Sequence, residues 1–154
     1  MIARVQSLYL LLVGLLAITS MFLPFWSFNA GHIFLISDVT PLEITDAISI
    51  FAAAAGRAFS PLTAAISVGA IFLYKNREMQ RKFIMLAMLL FFCDIFAGLT
   101  VAHFMNEHFK SIGATVTHHA DFGLVILLPE PILLLLAMKG VQKDEKIANA
   151  YKRL

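Results

Sequence analysis

Two carboxylates stand where the sequence makes them costly. Asp94 falls near the centre of an apolar run covering about residues 83–104, and Glu130 near the centre of another covering about residues 121–138. A charged side chain at mid-bilayer costs about 2.5–3.5 kcal/mol on insertion scales, so such a group faces the interior of a helix bundle, pairs, or stays protonated. If the two acids meet, like-charge repulsion raises the pKa of one and the pair shares a proton, giving a proton or cation site at the midplane. If they do not meet, each is a neutral hydrogen-bonding group that fastens its helix to a neighbour or to a partner protein. Residue type and depth leave both alternatives open.

A second set of donors flanks the same two runs. His103, Glu107 and His108 end the third run, and His118, His119 and Asp121 precede the fourth. They supply enough nitrogen and oxygen for a divalent-metal site, provided that three or four converge and further hydrogen bonds orient them. His103 and Glu107 share a helical face, whereas adjacent residues such as His118 and His119 often point apart; solvated surface histidines are the alternative. Haem ligation by paired histidines is disfavoured, because His103 and His118 lie at helix ends with no second pair. The single cysteine, Cys93, excludes an intrachain disulfide, a thiol redox pair and a cysteine-based zinc site. There is no phosphate-cradling glycine loop, metalloprotease motif or serine nucleophile elbow, and no inverted repeat of the kind that builds secondary transporters. No enzyme and no cofactor are expected, and nucleic-acid binding is disfavoured.

The elements that must hold these groups follow from composition. The chain is 60% hydrophobic and 14% charged, with 14 Phe in 154 residues, far from the balance of a soluble domain. Spans are expected at about residues 7–28, 57–74, 83–104 and 121–138, against the requirement of about 20 apolar residues per helix. The first imitates a signal peptide, but it is too long and no small-x-small cleavage site follows, so it is read as a retained helix. Thr40, Pro41, Leu42 and Glu43 form a capping box with proline at the first helical position. Ile44, Ile48, Phe51 and Ala55 then make an apolar stripe, predicting an external amphipathic helix over about residues 41–56, lying in the interface. A break near Arg57–Pro61 is expected, since proline clashes with the carbonyl one turn back and an unbroken helix from Pro41 to Tyr74 would reach about 50 Å. Pro129 and Pro131 predict a bend around Glu130, and Asp94, Gly98 and Ala102 offer a small surface for a neighbouring helix. The tail, residues 139–154, is expected to be helical, with Ile147, Tyr151 and Leu154 on one side. The expected fold is all-α: one domain over residues 1–154, a four-helix transmembrane bundle with an additional external amphipathic helix between spans one and two.

Charge sets the expected orientation. Of 12 Lys and Arg residues, all but Arg57 and Lys110 fall on one side of the alternating spans, which places both termini in the cytoplasm. The other side carries Asp38, Glu43, Asp46, Glu107 and Asp121 with all five histidines. Arg57, Lys75, Arg77, Arg81 and Lys82 are read as lipid-headgroup contacts, with Arg57 alternatively neutralising Asp46. Tyr9, Trp26 and Tyr74 lie where interfacial rings anchor helices.

The opening residues from Met1 to Leu12, the turn Tyr74-Lys75-Asn76-Arg77-Glu78-Met79-Gln80 and the closing Lys143-Asp144-Glu145 resemble an uncharacterised, domain-of-unknown-function family of small four-span bacterial membrane proteins. The histidine-rich loop lies outside that pattern. The resemblance implies a multi-pass protein of the bacterial inner (plasma) membrane and transfers no activity. The first functional expectation is a non-catalytic accessory or structural subunit of a larger inner-membrane complex, with membrane lipids and other membrane subunits as partners. The alternatives are a proton- or metal-linked carrier or sensor using Asp94 and Glu130 or the outer histidines, and a small haem- or quinone-binding redox subunit.

Overall fold

The computed structural model describes residues 5–29, 33–38, 47–113 and 115–151. Its elements are α1 (Val5–Phe22), β1 (Trp26–Asn29), β2 (Ile33–Ile36), α2 (Ala47–Phe72), a 3₁₀ turn (Leu73–Lys75), α3 (Arg77–Ser111), β3 (Thr117–Ala120), α4 (Phe122–Leu127) and α5 (Glu130–Tyr151). Four helical segments, with α4 and α5 counted as one, are long and apolar enough to cross a membrane. They form a ring in which α1 touches α2, α2 touches α3, α3 touches α5 and α5 returns to α1. The 3₁₀ turn, the start of α1 and the end of α5 meet at one end of the bundle, the tail end. A small sheet lies at the other, the sheet end.

Several sequence expectations change here. The first helix stops at Phe22 rather than near residue 28, because Pro24 lacks an N–H and disfavours helical backbone at Leu23. Trp26–Asn29 leave it as a strand instead. The expected break at Arg57–Pro61 is absent: α2 runs unbroken through Pro61. Starting at Ala47, it is only about 39 Å long at 1.5 Å per residue, and α3, at 35 residues, is longer still. Helix length therefore forces no break where helix ends extend beyond the hydrocarbon. Over residues 47–56 the expected interfacial helix is the beginning of α2; its Thr40–Glu43 cap lies outside the described residues. Ile48 and Phe51 of the apolar stripe point outward, and the inner face is Ala52, Gly56 and Ser60, the small-residue face on which helices surrounded by hydrocarbon approach one another. The bend predicted by Pro129 and Pro131 is present as a turn between α4 and α5, and α5 continues through the tail to Tyr151.

The sheet was not anticipated. Its order is β2-β1-β3, both pairings antiparallel, with Phe28 opposite Phe34 on one side and His118 on the other. Phe28 and Phe34 pack on Phe109 near the end of α3, with ring centroids 5.7 and 5.2 Å apart. The link from α1 to β1 is stitched on both sides: Phe25 N–H donates to the Ile36 carbonyl at 2.7 Å, and Gly123 N–H donates to the Pro24 carbonyl at 2.9 Å. A Cβ on Gly123 would sit 2.7 Å from the Pro24 carbonyl oxygen and 2.9 Å from that of Leu23, so this crossing needs glycine.

The core has two apolar clusters. Leu10, Val13, Ala70, Ile84, Ala87, Leu134, Ala137 and Val141 fill the tail half. Phe28, Ile36, Ala52, Val101, Ala102, Met105 and Phe109 lie beneath the sheet. Between them lie buried polar residues on α2, α3 and α5.

A buried acid cluster between two apolar cores

The polar layer is assembled from the segment after β2, from the middle of α2 and α3, and from the start of α5. Ser60, Thr63 and Ser67 follow one face of α2 at helical spacing and are all buried. Asp94 is on the buried stripe of α3, and Glu130, 1% exposed, opens α5. The proline-flanked turn places Glu130 in the first helical turn, where free backbone N–H groups favour a carboxylate. Pro131 fits there because its missing N–H would have had no intrahelical partner.

Asp94 does not take Glu130 as its hydrogen-bonding partner. Its Oδ2 lies 2.8 Å from Ser60 Oγ, and the same hydroxyl lies 2.9 Å from Asp38 Oδ2. Asp38 reaches this depth because β2 ends at Ile36, bonded back to Phe25, and the chain then turns into the bundle. Gly56 sits against both acids, its missing Cβ 3.7 Å from Asp94 Oδ1 and 3.8 Å from Asp38 Oδ1. The three residues border a cavity of about 40 Å³, also lined by Phe25, Gly98 and Val101. At roughly 10–15 Å³ per water it holds about three.

A serine hydroxyl has one proton to donate. Placed between two carboxyl oxygens, it serves one of them; the second contact is a hydrogen bond only if that carboxyl carries a proton and donates it to Ser60 Oγ. Both contacts are therefore hydrogen bonds only when one of the two acids is protonated. Burial pushes the Asp38 carboxyl above its ordinary value, opposed by the Ser60 hydrogen bond and by the charge of Arg57. Glu130 lies near enough to feel the charge of Asp94, but its Oε1 is buried with no hydrogen-bond partner among the described residues.

The other expected site residues disperse. Asp121 caps α4, its side chain accepting from Phe122 N–H at 2.7 Å. Glu107 pairs with Lys110 at 2.8 Å. His118 stacks near Trp26 and Phe28, while His119, its neighbour on the strand, turns to Ser27 at 3.0 Å. His103 lies edge-on to Phe104, and His108 edge-on to Phe109. Among the described residues, no three His, Cys, Asp or Glu side chains come together in a way that could hold a metal ion. Strand alternation separates His118 from His119.

The basic residues are also redistributed. Arg77 pairs with Asp144 at 2.8 Å, close enough for an ion pair though not aligned for a hydrogen bond. Arg81 reaches Glu145 at 3.3 Å and Lys82 reaches Glu78 at 2.8 Å, while Lys75 is exposed at the end of the 3₁₀ turn. Arg57 acts on Asp38; Asp46 lies outside the described residues. Gly98 receives the ring of Phe25 rather than a helix, and a Cβ there would fall 2.7 Å from that ring.

Sequence reasoning found Asp94 and Glu130 but missed Ser60 and Asp38. The i, i+3, i+7 series Ser60, Thr63, Ser67 carried a signal for the first. Asp38 looked like one more acid of an external loop.

A family model described as a domain of unknown function (DUF4293) matches residues 2–154. No curated protein and no solved structure matches significantly.

Proposed function

Since the chain belongs to the DUF4293 family, a domain of unknown function, we propose its role from its acid cluster: it is a non-enzymatic, proton-binding integral membrane protein, a proton-linked carrier or sensor in which Asp94 and Asp38 exchange a proton through Ser60. The observation that carries this reading is one hydroxyl held 2.8 and 2.9 Å from two carboxyl oxygens beside a water-sized cavity. Buried acids in a membrane segment are costly unless they are paired or used, and a cluster short of protons gains one more easily than an isolated carboxylate.

The charge distribution supports both termini lying in the cytoplasm, and the resemblance to small bacterial membrane proteins supports the bacterial inner membrane. The outward apolar residues are those that lipid covers, so they favour no protein partner over lipid, and an accessory-subunit role has no observation of its own. The dispersed histidines give a metal-linked role no support.

The test is an infrared pH titration of the protein reconstituted in lipid. The expected result is a protonated-carboxyl stretch that titrates in the wild type and is lost or split in Asp94→Asn. Identical spectra for the two proteins across the titration would overturn the proposal.

A further inference from the structure

We infer that the acid cluster is one end of a proton path, and that Thr63, Glu130 and Ser67 relay protons from it toward the tail end of the bundle, where the Gln80 amide orients the path without carrying the proton. This deepens the proton-binding reading and rests on it. It turns a site that holds a proton into a protein that conducts one.

The path is marked by polar atoms without partners. Thr63 Oγ1, Ser67 Oγ, Gln80 Oε1 and Glu130 Oε1 are all buried and make no hydrogen bond among the described residues. Their residues are 2%, 0%, 0% and 1% exposed. Each such group is costly to bury when left unsatisfied. A helical Ser or Thr has a local remedy, donating to the carbonyl one turn back. Thr19 and Thr100 take it, each at 2.7 Å, and Ser20 takes it at 2.8 Å. Thr63 and Ser67 do not, so their hydroxyls remain free for water or for a passing proton.

The groups also fall in line. From Ser60 to Ser67 the helix rises about 10 Å. Gln80 Nε2 then donates to the carbonyl of Ala70 at 3.0 Å, one turn beyond Ser67. On α3, Gln80 lies about 21 Å below Asp94, four turns along one buried stripe; on the antiparallel α5, Asp144 lies the same distance from Glu130. At the tail end Asp144 accepts from Gln6 Nε2 at 3.3 Å and pairs with Arg77. The charged and titratable groups around the path are Asp38 after β2, Arg57 on α2, Asp94, Arg77 and Arg81 on α3, and Glu130, Asp144 and Glu145 on α5. On α1 it meets Gln6, which is uncharged. Buried acids and hydroxyls in this order form the relays of proton-moving membrane proteins.

The experiment uses the full chain in liposomes loaded with a pH-sensitive dye, with a potassium diffusion potential as driving force. Wild-type vesicles should acidify faster than empty ones. Thr63→Val combined with Ser67→Ala should slow this by about tenfold, the rate equivalent of one lost hydrogen bond, while Ser67→Thr, which keeps the hydroxyl, retains the flux. Circular dichroism and gel filtration confirm that each variant is folded, and a variant that fails them is replaced by Ser67→Ala alone. Equal flux in wild type and hydroxyl-free variants overturns the path. Absent wild-type flux with an intact carboxyl titration overturns the path and leaves proton binding standing; absence of both overturns proton binding as well.

Discussion

Ser60 on α2 and Asp94 on α3 are joined by a 2.8 Å hydrogen bond across the broadest helix–helix contact of the fold. The same hydroxyl touches Asp38, so one serine sets the positions of two acids 56 residues apart in the chain (94 minus 38). A neutral donor between two carboxyls screens neither charge fully, and the cluster keeps its low-charge form only while protons are available.

Ser60→Ala removes that donor. It should cost about 1–3 kcal/mol, the range for leaving buried acceptors unsatisfied, read as a lower thermal midpoint in detergent. Combined with Asp94→Asn the loss should be less than additive, because both changes remove the same interaction. Additive losses would mean that the bond does not stabilise the fold.

Asp38 gives a pH dependence with a definite sign. Its folded-state pKa is raised above the ordinary 3.8, chiefly by burial. The folded protein therefore holds this proton longer than the unfolded chain does. The stability it contributes is fully present below 3.8 and is lost as pH rises through the raised value. Thermal midpoints should fall as pH is increased above 3.8 toward and through the raised value, and Asp38→Asn should flatten part of that slope. A slope identical in both proteins would refute the assignment.

Two glycines should respond in opposite ways to alanine. Gly123→Ala drives a methyl to within 2.9 Å of two backbone carbonyl oxygens that cannot swing aside; the expected loss is about 1–3 kcal/mol or more. Gly56→Ala meets its neighbours at 3.7–3.8 Å, ordinary contact. It should be neutral, or stabilising by about 0.5–1 kcal/mol through helix propensity, and it narrows the cavity beside the acids. Unfolding temperatures of the two variants decide the contrast.

Protease protection of inverted and right-side-out vesicles checks the orientation. Tags at the two ends should be cleaved from the same side, and a tag inserted after Gly113 in the loop before β3 from the other. Cleavage of the two terminal tags from opposite sides would contradict the charge count and the four-helix ring together.

Much of the architecture was legible because hydrocarbon is an exacting solvent. It requires long apolar runs with internally satisfied backbones, and the runs, the proline bend at Glu130 and the helical tail can all be read residue by residue. Asp94 and Glu130 stood out for the same reason, as costly residues among cheap ones. The sheet was harder to see: Trp26–Asn29 and Thr117–Ala120 are four residues each and pair with one another across most of the chain, and such pairing depends on partners rather than on a local period. Pro61 misled because a proline is tolerated inside a membrane-type helix when its neighbours accommodate the freed groups.

The amino-acid order by itself determined how many helices are long and apolar enough to cross a membrane and which groups are costly to bury, since each is a local consequence of side-chain chemistry and helical periodicity. Which costly groups meet was decided only by the tertiary structure. The distance from Asp38 to Asp94 depends on a strand pairing, a glycine crossing at Gly123 and the rotation of α2 that turns Ser60 inward. None of these is a property of the segments that carry the acids, so the cluster exists only once the helices and the sheet have closed around it.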